Sequence, residues 1–193
     1  MDPASRLIVA LDTTELATAR SWADLTQPSA ELFKLGLEFF LAHGAAGLRA
    51  ITGRPIFLDL KLHDIPNTVA GGVRAVLPLA PRLLTLHASG GGAMITAARQ
   101  AADTAGAARP LLLAVTVLTS LDAAVLAAMG VRDAPERQVL RLARLAIDAG
   151  ADGVVCSPLE VAAVRAALGP GPRSSSSLGS APLAPPPVIR RAP

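Results

Sequence analysis

The stretch FLDLKLHDIPNTV, residues 57–69, places Asp59, Lys61, His63 and Asp64 directly behind a run of strand-forming apolar residues. Charges at the exit of a buried strand cost free energy unless they are paired or used. Residues two apart on a strand point to one face, so Asp59 and Lys61 share a face and Asp64 follows just past the strand end. Lys34 stands in the preceding apolar run, LFKLGL. With strands in sequential order, Lys34, Asp59, Lys61 and Asp64 make an alternating cationic and anionic array. A unit-charge pair at about 4 Å in a partly desolvated site interacts by roughly 4 kcal/mol. Such an array can repel a bound carboxylate with an aspartate and stabilise a carbanion with a lysine that then donates a proton. The same four residues also suit a salt-bridge network that closes the end of a barrel.

The surrounding pattern says what must position them. Apolar runs at 7–12, 32–37, 56–61, 83–88, 111–118 and 153–157 read as strands. Helices are predicted near 14–25, 38–51, 66–78, 92–105, 121–129, 135–148 and 158–167. Near-continuous apolar strands alternating with helices mean a parallel sheet covered on both faces. Asp12, Lys34, Asp59, Lys61, His87 and Thr119 fall at or beside strand ends, where (β/α) barrels carry their chemistry. A dinucleotide-binding sheet would need G-x-G-x-x-G after the first strand. LDTTELA, which follows here, has no glycine, so the pattern favours an α/β TIM barrel, with about six of its eight strands present.

Composition narrows the class. The chain has 193 residues, 51% hydrophobic and only 3% aromatic, with a formal net charge of +3. No basic block with interleaved aromatics points to nucleic acid. Runs such as LLLAVTVL are strand-length and too short to span a bilayer. The N-terminus runs straight into a strand pattern, so no signal peptide is expected. The single cysteine, Cys156, excludes an intramolecular disulfide framework, suits a cytoplasmic protein, and reads as a small buried hydrophobe. His87 is expected to hydrogen-bond at its strand end and His63 to position its loop. SGGG at 89–92 reads as a plain strand-to-helix turn, and Trp22 as a packing residue.

LIVALD, FKLG and DLKLHDIPNTV together closely resemble the orotidine 5′-monophosphate decarboxylase family, and LTLHASGG, VTVLTS and DGVVCS continue the match in order over about residues 6–168. The resemblance implies decarboxylation of orotidine 5′-monophosphate to UMP, without metal or organic cofactor, by a homodimer of TIM barrels with sites at the subunit interface. It implies that Lys61 donates a proton to carbon 6 of the pyrimidine and that Asp59 crowds the departing carboxylate. Lys34 would order the array and contact the ribose, as would Asp12, and Thr119 would contact the pyrimidine. Asp64, Ile65 and Thr68 would reach into the neighbouring subunit's site. Magnesium-dependent 3-keto-L-gulonate 6-phosphate decarboxylases resemble the chain at D-x-K-x-x-D. They carry an acidic ligand at the end of the second strand, where this chain has Lys34.

The composition changes near residue 169. Residues 169–193 are rich in Pro, Ser and Ala and are expected to be a disordered tail behind an incomplete barrel at 1–168. The resembled family grips phosphate with a P-G-I-R-P loop, a following glutamine and a glycine–arginine pair, none of which stands in this frame. GC-rich codons for Arg173 to Ala192 allow another frame to read VVVVPGIRPAGAAAGDQAR, which predicts a frameshift near residues 169–173. Missing strands would leave edges open on the first and sixth strands. The expectation for the literal chain is then low stability and little activity, down to a non-catalytic barrel fragment.

Overall fold

The computed structural model describes residues 7–169. Six strands alternate with helices: β1 (Ile8–Ala10), α1 (Leu16–Thr26), β2 (Leu32–Gly36), α2 (Leu37–Ala50), β3 (Ile56–Leu62), α3 (Pro66–Val76) and β4 (Leu83–His87). They continue with α4 (Gly91–Asp103), β5 (Leu111–Val115), α5 (Ala123–Ala128), α6 (Pro135–Asp148), β6 (Gly153–Val155) and α7 (Val161–Leu168). All neighbouring pairs are parallel and the sheet order is β1-β2-β3-β4-β5-β6. Sequential order with a helix after each strand is the winding of a (β/α) barrel. Among the described residues β1 and β6 each have one strand neighbour. The expectations for 170–193 lie outside the described residues.

Alternation along the strands separates two cores. Phe33, Leu35, Leu58, Leu60, Leu84, Leu86, Leu112, Ala114 and Val154 pack with helix residues such as Val73, Ile95 and Val139. On the other face Leu32, Phe57, Leu83 and Leu113, joined by Ile8, Leu111 and Val155, form a separate apolar layer. Both faces are apolar, which is why the strands read as unbroken hydrophobic runs. The second face matters for function. Two residues further along each strand, the period-2 rule takes Leu32 to Lys34, Phe57 to Asp59 and Leu83 to Thr85. The apolar layer is therefore a floor beneath a polar one.

Two strand boundaries differ from the sequence expectation. The fifth strand was expected to run to residue 118 but β5 ends at Val115. Thr116 directs both its N–H (3.1 Å) and its hydroxyl (3.0 Å) to the Val155 carbonyl, and the ladder stops there with the short β6. Thr119 thus lies in a turn beyond the strand, exposed. The first strand, expected over 7–12, is confined to Ile8–Ala10, so Asp12 sits past its end. The second helix carries a break at Gly44, with φ 55 and ψ −150, a conformation reserved for glycine. Trp22 is partly buried against the helix-side core, as expected of a packing residue.

Candidate active site

β3 departs from regularity where its charges emerge. Leu58 pairs with Leu84, but Leu62 pairs with Leu86, so β3 takes four steps while β4 takes two. Lys61 lies inside this irregularity with φ 50, in the left-handed region that a non-glycine residue occupies at a cost. Its backbone N–H donates to the Thr85 hydroxyl at 2.9 Å instead of to a ladder carbonyl. A bulge of this kind re-aims side chains at a strand end.

The re-aimed groups form a chain of charges. The Lys61 ammonium donates to Asp59 Oδ2 at 2.7 Å. Lys34 Nζ lies 3.9 Å from the same oxygen and donates to Asp12 Oδ1 at 2.8 Å. The second Asp59 oxygen accepts the Thr85 hydroxyl at 2.8 Å. Asp59 is the buried member, with its side chain 12% exposed against 64% for Asp12. A carboxylate so withdrawn from water is held by two cations and a hydroxyl, and no buried side-chain polar atom among the described residues lacks a partner.

The quartet differs from the expected one in one member. Within one chain it reads Asp12–Lys34–Asp59–Lys61, and Asp64 is not in it. The Asp64 carboxylate accepts the N–H of Ile65 at 2.6 Å, just ahead of α3, and is exposed. The helix start at Pro66 turns the chain outward, which leaves Ile65 65% exposed and Thr68 exposed on the first turn. Thr119, beyond β5, has no hydrogen bond to the quartet.

Sequence reasoning missed Thr85. It is fully buried and touches both Asp59 and Lys61. A signal was present: LLTLH puts one hydroxyl in the middle of an otherwise apolar strand, on the same alternate face as His87. His87 was expected to hydrogen-bond at its strand end. Instead its ring lies 5.4 Å from that of His63, in a tilted contact. Burial lowers the His87 pKa from its ordinary value, with His63 and Lys61 adding to the effect against an opposing pull from Asp59. The glycine-rich turn behaves as a strand-to-helix connection, a single turn at Ala88–Gly90 leading into α4. A Cβ at Gly90 would meet the end of the Met94 side chain and lie 3.1 Å from His63 Cδ2, so a larger residue there would require Met94 to shift. Cys156 is buried, and burial pushes its thiol up to about 11, so it stays protonated.

Fold and site together define a parallel (β/α) barrel protein that carries a lysine–aspartate cluster at the C-terminal ends of its first strands. The model of the orotidine 5′-phosphate decarboxylase / HUMPS family matches residues 5–181, and the chain belongs to that family. The orotidine 5′-phosphate decarboxylase of Anaeromyxobacter sp. (strain K) is 54% identical over 174 residues, 89% of this chain and 75% of that protein. The enzyme of the same name from Gluconobacter oxydans (strain 621H) is 52% identical over 176 residues, again 89% and 75%. Among solved structures, the orotidine 5′-phosphate decarboxylase of Lactobacillus acidophilus superposes with a TM-score of 0.75 at 39% identity, covering 82% of this chain and 74% of that one. An uncharacterized conserved protein from Geobacillus kaustophilus gives 0.79 at 34% identity, with 83% and 77% covered. The family match runs on into the stretch 169–193. Among the described residues no helix is long and apolar enough to cross a membrane, and no group of three or more His, Cys, Asp and Glu side chains is placed to hold a metal ion.

Proposed function

We propose that this site decarboxylates orotidine 5′-monophosphate to UMP, as the names of its relatives suggest. The observation that carries the reading is the Lys61 ammonium held 2.7 Å from Asp59 Oδ2, with Lys34 3.9 Å from the same oxygen. The bond between pyrimidine carbon 6 and the carboxylate breaks, and its electron pair stays on carbon 6. The carboxylate leaves as carbon dioxide. Lys61 gives a proton to carbon 6 and is reprotonated from solvent, so the net reaction consumes one proton. Asp59 crowds the substrate carboxylate in the ground state, and this repulsion vanishes as carbon dioxide forms. Lys61 gains attraction to the same centre as negative charge gathers there. Only interactions that strengthen toward the transition state speed the step, and both belong to that class.

Lys34 stands 3.9 Å from the Asp59 carboxylate and, with Asp12, faces the ribose. Thr119 contacts the pyrimidine. The exposed Asp64, Ile65 and Thr68 complete the site of a second copy in a homodimer working in the cytoplasm. Their exposure, with Asp64 bonded only to its own neighbour, leaves them available for that role.

The test is direct. Purified chain is incubated with orotidine 5′-monophosphate, and loss of substrate absorbance is followed alongside release of labelled carbon dioxide. Turnover that disappears in Lys61→Ala supports the reading. A cooperatively folded chain that leaves the substrate intact overturns it.

A further inference from the structure

We infer that Thr85 is a positioning residue for the charge cluster. One hydroxyl sets the backbone of Lys61 and the carboxylate of Asp59 at the same time. The inference rests on the decarboxylase reading for its kinetic consequences, though its structural content stands apart from it.

A β-bulge leaves an N–H without its ladder acceptor. In this sheet the unpartnered donor is the N–H of Lys61, and its acceptor is the Thr85 side chain at 2.9 Å. A hydroxyl can accept and donate at once. Having accepted from Lys61, Thr85 has its own proton to give, and gives it to Asp59 Oδ1 at 2.8 Å. That bond fixes which Asp59 oxygen remains for the lysines, namely Oδ2, which Lys61 Nζ meets at 2.7 Å and Lys34 Nζ approaches at 3.9 Å. Thr85 thus closes a ring from the Lys61 backbone through the hydroxyl and the carboxylate to the Lys61 side chain.

The ring also bears on strain. Lys61 holds φ 50, and a left-handed backbone in a non-glycine residue costs on the order of 1–2 kcal/mol unless its surroundings enforce it. The hydrogen bond from its own N–H is the enforcement nearest to hand. Thr85 is fully buried and sits above the apolar floor of Leu83 and Phe57, so no water is needed in its place. A valine there keeps the shape but loses both bonds, which frees the Lys61 backbone and lets the Asp59 carboxylate rotate. Misplacement of reacting groups by about 1 Å costs as much as a hundredfold in rate.

The experiment compares the parent chain with Thr85→Val and Thr85→Ser. In Thr85→Val, kcat is expected to fall by about ten- to a hundredfold with KM nearly unchanged. Thr85→Ser, which keeps the hydroxyl, should restore kcat to within about threefold. Amide exchange read by NMR supplies a second readout that needs no turnover. The Lys61 amide should exchange at least about tenfold faster in Thr85→Val while the Leu84 and Phe33 amides keep the parent's rate. If the parent shows no turnover, the decarboxylase reading fails, and the exchange data still decide the role of Thr85. If Thr85→Val does not fold, a slowly exchanging Thr85 hydroxyl proton in the parent spectrum decides instead: its presence supports the ring and its absence overturns it. Unchanged kcat together with unchanged Lys61 exchange in a folded Thr85→Val would overturn the inference.

Discussion

Asp59 and Lys61 meet twice: two residues apart along β3, their side chains are joined at 2.7 Å, and one Thr85 hydroxyl bonds the carboxylate of the first and the backbone N–H of the second. This double link makes Lys61 an ammonium with one fixed neighbour and one open side. The Lys61 side chain is 39% exposed, so its charge still faces the mouth of the barrel.

Removing that ammonium should damage chemistry more than folding. Lys61→Ala is expected to lower decarboxylation by at least about a hundredfold, the range for losing a positioned proton donor. Asp59 keeps Thr85 and Lys34 as partners, so the melting temperature should stay within a few degrees of the parent's. A rate assay with a thermal melt on the same preparation checks both halves. Equal turnover in the variant would remove Lys61 from the mechanism.

A second left-handed residue has no chemistry to justify it. Ala80 closes the turn after α3 with φ 48 and ψ 48, exposed, its N–H bonded to the Leu77 carbonyl at 2.9 Å. Left-handed caps favour glycine because it has no Cβ to clash. Against that gain stands the larger freedom of glycine in the unfolded chain, about 0.4–1 kcal/mol. Ala80→Gly should therefore be neutral to stabilising, by up to about 1 kcal/mol. Denaturant titration gives the sign, and a clear loss of stability would show that the backbone there is unstrained.

These two positions show what a sequence can and cannot reveal. The strand runs, the helix spacing and the lysine–aspartate alternation at 59 and 61 follow from period and charge, and the cluster of Lys34 with Asp59 follows from sequential strand order. The bulge between Leu58 and Leu62 does not, because it is a property of how β3 pairs with β4, which no local pattern in either strand encodes. The role of Thr85 was hidden for the same reason, since a lone threonine in an apolar strand matters only once the partner strand's register is known. Asp12, expected to contact ribose, also accepts a bond from Lys34, while Asp64, expected both in the array and in a neighbouring subunit's site, lies apart from the cluster within the single chain. Both depend on where strands end, and strand ends are set by pairing more than by residue type. Thr119 illustrates this too, because the ladder stops at Val115 through a bond that Thr116 makes to Val155.

His87 should make stability depend on pH near neutrality. Its pKa is lowered in the folded chain from an ordinary 6.5, by burial first and then by His63 and Lys61, with Asp59 opposing. The unfolded chain then binds the proton more readily than the folded one. The stabilising contribution is present above the ordinary histidine pKa and is lost as pH falls toward the depressed folded value. The parent should melt lower at about pH 5.5 than at about pH 7.5, and His87→Gln should show a smaller difference between the two. An identical difference in both proteins would assign the dependence to other groups.

The far end of the sheet carries a second charged device, which should matter for folding and not for catalysis. Arg109 grips Asp152 with two guanidinium nitrogens at 2.7 and 2.8 Å, and the same carboxylate accepts the Leu112 N–H at 2.8 Å. Arg99 adds a longer contact at 3.4 Å. These bonds tie the loop before β6 to the start of β5. Burial of Asp152 favours its neutral form, but the Arg109 bonds, the Leu112 amide and Arg99 outweigh it and hold the carboxyl below its ordinary value. A carboxyl depressed in the folded state stabilises above its unfolded pKa, near about 4, and loses that contribution as pH falls further. Asp152→Asn keeps the shape and removes the charge. It should cost about 1.5–3 kcal/mol at neutral pH, the range for hydrogen bonds to a charged group, and the gap to the parent should narrow below about pH 3. Urea titrations at the two pH values measure both. A gap that stayed constant as the pH fell would mean that the Asp152 charge contributes nothing and that only its shape matters.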